Sequence, residues 1–409
     1  MTYQSPTPLN PSHTAGIPPT RAAALARLEA FAPRASAPYT TGRNTDPGPG
    51  EPGAVSHLSA YLRYRLITEH EVIAAIRAHH SAQAAEKFIQ EVLWRTYWKG
   101  WLEHRPAVWR NYQVTRQQQH FGLTDHRDLA NAETGTTGID GFDDWARELI
   151  ETGHLHNHAR MWFASIWVFS LRLPWALGAD FFLRHLRDAD AASNTLSWRW
   201  VAGLHTAGKT YLATAENIAR YTDGRYAPKG LAQIATPLSE PPLPTCRILP
   251  DHPAPDPREP SLLLVTSEDL HPECVTTASL ALNCALIAAD PALLWGKHAR
   301  RFAAAAAQDC QARVQAHFNI PATLAETLSA ATLIAAAQAA GTRQIVTPYI
   351  PVGPVNTALA ALMPELAAAG VTLTRVKRSW DQHFWPHATA GFFAFKSHIP
   401  ATLAICGLP

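Results

Sequence analysis

The sequence predicts two domains of different class: an all-α domain followed by an α/β domain with a parallel sheet. Three observations predict this. Between His57 and Leu186 apolar residues recur at helical spacing with few β-branched runs between them. From Tyr226 to Pro260 the chain becomes Pro-rich, as in an extended interdomain segment. Beyond it, short apolar runs alternate with Ala-rich helical stretches, the pattern of a parallel sheet crossed by helices. At 409 residues, 47% of them hydrophobic and 17% charged, the chain is long enough to pack two cores.

Taken in order, a polar, Pro-rich start leads to a short helix over Thr20–Phe31, and Ala32–Val55, rich in Gly, Pro, Thr and Ala, reads as a long loop. Helices are then expected over Leu66–His79, Ala82–Leu102, Gly141–Thr152, His156–Leu171 and Ala179–Leu186. After the Pro-rich stretch, Leu262–Thr266, Cys284–Ala288, Gln344–Thr347 and Val371–Val376 read as short buried strands. Between them Ala299–Phe318 and Leu328–Ala340 are Ala-rich, yet interspersed Leu, Phe, Ile and Val keep an apolar stripe. The expected boundaries are 20–226 for the helical domain, 227–260 for the linker and 261–405 for the α/β domain.

A net charge of +2 is nearly balanced, so a nucleic-acid surface would have to be a local cluster of Lys and Arg. The five cysteines show no CxxC spacing and none precedes residue 240, which argues against a disulfide framework, a zinc site or an iron–sulfur cluster in the first half. Residues 1–19 lack the basic start and apolar core of a signal peptide, and no apolar run reaches the length that spans a bilayer. A soluble, cytoplasmic protein without a membrane partner is expected, and a monomer.

Thirteen tryptophans are many, and ten fall in the first half, where most serve to pack a helical core. Three cassettes stand out. In Phe88-Ile-Gln-Glu91-Val-Leu-Trp94-Arg95-Thr-Tyr-Trp98, spacings of three and four place the named residues along one helical side. A carboxylate among aromatics needs a partner, and an i, i+4 pair of Glu91 with Arg95 on an aromatic-packed helix is one reading. In His154-Leu-His156-Asn157-His158-Ala-Arg160-Met161 a metal site is the weaker reading, because no Cys or carboxylate spacing accompanies the His residues. In Asp188-Ala-Asp190-Ala-Ala-Ser-Asn194-Thr-Leu-Ser-Trp198-Arg-Trp200 the acids fit a helix cap with solvated carboxylates.

Together and in this order, the cassettes resemble the FAD-binding domain of the DNA photolyase/cryptochrome family from about Thr20 to Trp200, with a looser continuation to Tyr226. Val55-Ser56-His57-Leu58-Ser59 is similar to the family's Thr-Ser-Arg-Leu-Ser phosphate loop. Phe88–Arg95 is similar to its Trp-Leu-Asn-Glu-Leu-Ile-Trp-Arg helix, and Thr137-Gly138 with Asp143 and Arg147 to its middle helices. Departures lie at His57 and His158, which stand where the family has Arg, at Thr195-Leu-Ser197, and at Gly208–Asn217.

The resemblance implies FAD as cofactor, held by Ser56, His57, Leu58, Ser59, Phe88, Glu91, Arg95, Asn157, Arg160, Asp188, Asp190 and Asn194. Ser56, Leu58 and Ser59 would take the diphosphate. Asp188 and Asp190 would meet the flavin head, Arg160 would pair with Asp188, and Asn194 would face flavin N5, where an amide suits a reduced flavin. Trp198 and Trp175 match the inner two members of an electron-transfer chain whose third member has no Trp at its expected place near His120. Glu91, Trp94, Asn157, Met161 and Trp200 match a pocket that cradles a flipped pyrimidine dimer in damaged DNA. Asn157 and Met161 lean toward cyclobutane dimers.

The implied activity is that of a deoxyribodipyrimidine photolyase-like lyase, splitting cyclobutane pyrimidine dimers by electron transfer from excited reduced FAD, with Glu91, Asn194, Trp198 and Trp175 as the reaction's residues. A cryptochrome-like blue-light photoreceptor is the alternative. Leu262–His271 is similar to the first strand of the family's antenna domain, which in familiar members precedes the FAD domain, so a circular permutation is expected. Whether that half binds an antenna chromophore or only braces the flavin domain stays open here.

Overall fold

The fold was obtained as a computed structural model that describes residues 17–51, 53–123, 125–275 and 280–408. The reading of the polar start therefore lies largely outside the described residues. The first half is helical. Its elements are α1 (Arg21–Phe31), α2 (Ala37–Gly42), α3 (Ser59–Arg63), α4 (Glu69–His79), α5 (Glu86–His104), α6 (Ala107–Phe121), α7 (Arg127–Thr134), α8 (Phe142–Thr152), α9 (Asn157–Ser165), α10 (Trp175–His185), α11 (Ala191–Val201) and α12 (Ala215–Tyr221).

Caps explain several boundaries. Thr20 caps α1, and Thr68 with Glu71 forms a capping box that starts α4 three residues later than its apolar spacing suggested. The helix expected over His156–Leu171 is α9 followed by a π-helical turn, Ile166–Ser170. The stretch expected as a long loop contains α2 and a 3₁₀ turn at Ala32–Arg34, and its Tyr39 is buried, with Phe31 at the end of α1, against Phe88.

The second half is an α/β unit: β1 (Ser261–Thr266), β2 (Leu282–Ala288), α13 (Lys297–Phe318), β3 (Ala322–Ala325), α14 (Ala330–Ala339), β4 (Gln344–Pro348), α15 (Pro354–Ala368), β5 (Thr372–Val376), α16 (Ser379–Phe384) and α17 (Phe392–Ile405). All neighbouring strands pair in parallel, in the order β3-β2-β1-β4-β5. Four of the five strands lie where the sequence placed them. β3, four residues long and half polar on its exposed positions, was too short to carry a periodic signal.

Alternation along the strands sends side chains to two cores. Leu263, Val265, Ala285 and Ile287 face α13 and the helical half, whereas Leu262, Leu264, Leu286 and Ala288 face α14 and α15. The first of these cores runs without a break into the helical half, so the two halves share it. Helices α16 and α17 return to α5: Trp380 donates to the Thr96 hydroxyl at 3.1 Å, and Phe395 lies 5.4 Å from Tyr97.

Buried ions complete the seam. Arg65 holds Asp381 through two bonds of 2.8 Å and Asp269 at 3.3 Å, and Arg378 grips Asp269 from the other side. Glu103 of α5 accepts from the Tyr349 hydroxyl at 2.8 Å and from the Val352 amide at 2.6 Å. The Pro-rich stretch is extended and lies against the helices, with Glu240 on Arg199 and Trp175 and with Arg247 on the carbonyls of Glu103 and His104.

Candidate active site

A cavity of about 600 Å³ opens among α3, α5, α9, α10 and α11, within the range that encloses a ligand of cofactor size. Of the residues singled out from the sequence, Ser56, His57, Leu58, Ser59, Phe88, Glu91, Trp94, Arg95, Asn157, Arg160, Met161, Asp188, Asp190, Asn194, Trp198 and Trp200 all line it. Trp175 does not. Three cassettes up to a hundred residues apart thus meet around one space.

One end of the cavity is ionic. Asp190 caps α11, its Oδ1 accepting from the Ser193 amide at 2.7 Å, while its Oδ2 takes Arg95 at 2.8 Å, with Arg63 at 3.8 Å and Lys99 at 3.9 Å. Asp190 is a cap, as the simple reading had it, but a buried one paired with cations. Burial opposes the charge on Asp190, yet Arg95, Lys99 and Arg63 hold its carboxyl well below the usual range. Asp188 is treated alike: burial is outweighed by Arg160, 3.4 Å away, by Arg95 and by the Ser59 hydroxyl. The Arg160–Asp188 pair is therefore present, and the pair of Glu91 with Arg95 is not. Arg95 is drawn across to Asp190, and Glu91 meets Arg43 at 2.5 Å instead. Because an i, i+4 pair on an exposed helix gains only a few tenths of a kcal/mol, better-placed tertiary partners win.

The other walls are flat and aromatic. Trp94 is stacked on Phe392 of α17 with ring centres 3.6 Å apart and planes within 9°, and Trp200 lies against Tyr211 at 5.8 Å and 26°. Each indole on the cavity is thus backed by a second ring. Burial pushes the Glu91 carboxyl up despite Arg43 beside it. The Asn194 amide donates to the Ala179 carbonyl at 2.8 Å, which fixes the side chain and leaves its oxygen free to accept.

His57, with φ +53°, lies 5.0 Å from His154. Burial and the nearby Arg27 and Arg187 lower the imidazole of His57, so at neutral pH this loop position is uncharged. Burial also lowers His156, to about 4, and His158, whose Nδ1 lies 2.9 Å from the Asn44 carbonyl. His156 Nδ1 accepts from the His158 amide at 3.2 Å, and among the described residues no cluster of three or more His, Cys, Asp or Glu is placed to hold a metal.

Trp198 lines the cavity and has Phe182, Trp167 and Phe163 as ring neighbours, at 5.1, 6.1 and 6.5 Å. Trp175 is bonded to Glu240 and has the Arg199 guanidinium over its ring at 5.6 Å, with Tyr112 as ring neighbour at 5.7 Å and Trp109 a further 5.5 Å on. An aromatic other than Trp therefore sits next to it. Arg43, Tyr39, Asn44 and Ser193 also line the cavity and escaped the sequence reading. Arg43 lies in the stretch read as loop, and a positive charge there carried no signal. Ser193 was inside a quoted cassette, and the pattern that picked its neighbours passed over it.

The donor set fits FAD. The hydroxyl of Ser193, the indole N–H of Trp198 and Nε2 of His156 are buried on this cavity without a partner among the described residues, and such atoms call for a polar ligand or water. Arginines and serines for a diphosphate, carboxylates for hydroxyls and aromatic walls for a flat ring system share the space.

Comparison with known proteins bears on this domain. Residues 88–226 match the family described as the FAD-binding domain of DNA photolyase. The chain is 33% identical over 194 residues to a deoxyribodipyrimidine photo-lyase of Synechococcus sp., covering 46% of this chain and 39% of that protein. It is 33% identical over 154 residues to one of Streptomyces griseus, covering 37% and 33%. Among solved structures it is similar to a class III photolyase of Agrobacterium tumefaciens, at 26% identity and a TM-score of 0.42, covering 49% of this chain and 42% of that one. The chain thus spans about two fifths or less of the length of these curated relatives.

Proposed function

We propose, from the premise that the chain belongs to the DNA photolyase/cryptochrome family through its FAD-binding domain, that it repairs DNA in light by splitting cyclobutane pyrimidine dimers. The observation that carries this is one cavity holding both the ionic end with Asp188, Asp190 and Asn194 and the aromatic walls of Trp94 and Trp200 beside Glu91 and Met161. When bound, reduced FAD would supply the light-absorbing electron donor; the protein supplies binding, orientation and electrostatics.

Ser56, Ser59, Arg160 and Arg95 would hold the cofactor's polar and anionic parts, with Leu58, Phe88 and Asn157 around it. The oxygen of Asn194, left free by the bond to Ala179, would accept from an N–H on the ring system. Trp94 and Trp200, each braced by a second ring, would stack on bases turned out of the duplex, and Met161 would fill the apolar space beside them. Glu91, its carboxyl raised by burial, would hydrogen-bond a base edge. Trp198 and Trp175 would be the inner two members of an electron-transfer chain.

The same reading takes residues 20–226 as the FAD domain, 227–260 as a linker and 261–405 as an antenna-like domain moved to the C-terminal side by circular permutation, in a cytoplasmic monomer acting on damaged DNA. Among the described residues no helix is long and apolar enough to cross a membrane. The test is repair of an oligonucleotide carrying one thymine dimer, with the protein loaded with FAD and fully reduced. Light-dependent loss of the dimer is expected, together with at least a tenfold fall in rate for Glu91→Ala. Full loading with FAD and no repair in light would overturn the proposal. If a long-lived light-induced absorbance change then persists and Trp198→Phe removes it, the photoreceptor reading takes its place.

A further inference from the structure

The ionic end of the cavity is not charge-balanced by the helical half alone. Asp188 and Asp190 face four cations there: Arg63, Arg95, Lys99 and Arg160. Lys99 is buried, its ammonium has no hydrogen-bond partner among the described residues, and burial lowers its pKa. Arg63 is 2% exposed, lies 3.8 Å from Asp190, and turns its other face to Glu268, which it grips through two bonds of 2.8 and 3.0 Å. Glu268 is itself 7% exposed and stands two residues past the end of β1, in the α/β half. A third carboxylate thus reaches this site from the other half of the chain, through one arginine.

Charges a few ångströms apart and removed from water act strongly on one another, and each acts on whatever occupies the neighbouring space. We propose that Glu268 is a positioning residue of the cofactor site: through Arg63 it sets the charge at the Asp188–Asp190 end of the cavity and so the reduction potential of the flavin held there. The proposal rests on placing FAD in this cavity. It gives the α/β half a part in the site's chemistry that needs no chromophore of its own. The sign follows from the charges. Without the carboxylate of Glu268 the surroundings are more positive, which favours the electron-richer, reduced cofactor and raises its potential. Without the guanidinium of Arg63 the surroundings are more negative, and the potential falls.

The experiment equilibrates FAD-loaded protein with a redox dye of known potential and follows the flavin's visible absorbance. Glu268→Gln is expected to raise the reduced-to-oxidised ratio at least tenfold at a given poise, about 30 mV for a two-electron couple. Arg63→Gln is expected to lower it by as much, and the double variant to fall between the two. Shifts of opposite sign cannot come from a loosened fold, which would move both variants the same way. Equal potentials in wild type and either loaded variant, or shifts of one sign in both, would overturn the proposal. If one variant does not fold, the sign of the other decides. Wild-type protein that takes up no FAD fails the reading of the cavity; loaded wild type without the paired shifts fails only the role of Glu268.

Discussion

The cavity of the helical half and the strand ends of the α/β half are built in opposite ways. In an open parallel sheet, ligands bind outside the carboxyl ends of the strands where the order reverses, here between β1 and β4. Those ends are filled by the other half: Glu268 and Asp269 after β1 take Arg63 and Arg65, and Tyr349 and Val352 after β4 take Glu103. The helical half instead keeps an open space of about 600 Å³ with unpartnered polar atoms on its wall. One half has turned its crevice into an interface, and the other has kept a site. A sheet placed like this contributes to function by what it presses against the helices.

If the seam holds the halves through paired buried ions, removing one partner should have the largest effect. Arg65→Met leaves Asp381 buried without its two bonds, and loss of one member of a buried pair costs about 3–5 kcal/mol. Urea unfolding followed by circular dichroism measures this, and a loss below 1 kcal/mol would show that the seam does not depend on the pair. Packing at the same seam should come second. A Cβ on Gly100 of α5 would meet the Trp385 ring at 2.8 Å and the Ala388 Cβ at 3.0 Å, so Gly100→Leu overpacks the contact, at a cost of about 1–3 kcal/mol. Thermal denaturation reads that change. A variant as stable as wild type would mean that the halves can part without strain.

Much of this arrangement was legible in the sequence, and the illegible part has a common cause. Strands such as Leu262–Thr266 and helices such as Phe88–Trp98 declare themselves by local spacing, and most cavity residues lay in motifs with their own internal order. What local order cannot state is which charges meet. Arg95 reads as the neighbour of Glu91 four residues away, yet it pairs with Asp190, while Glu91 finds Arg43 from a stretch that looked like loop. Arg63 ends α3 and Arg65 follows two residues on, and nothing nearby announces that both are buried against acids more than 200 residues later.

The smallest effect is expected where a pair of similar chemistry is left partly wet. Arg21 and Glu71 meet at 2.5 Å within the helical half, with 19% and 27% of their side chains exposed, so solvent screens them as it does not screen Arg65. Burial works against the charge on Glu71, but Arg21 and the Thr68 amide hold its carboxyl down, from an ordinary 4.5 to about 2. Between pH 2 and 4.5 the unfolded chain therefore binds more protons at this position than the folded one. Its contribution to stability is complete above pH 4.5 and is lost as the pH falls toward 2. Glu71→Gln keeps an acceptor for the capping box and removes the titration, so it should cost about 1 kcal/mol or less at pH 7 and flatten the fall in stability between pH 5 and 3. Denaturant midpoints at those two pH values measure it. An equally steep fall in the variant would assign the acid sensitivity to the buried carboxylates of the seam and the cavity, Asp269 and Asp190 among them, which are held down by Arg378 and by Arg95 against their burial.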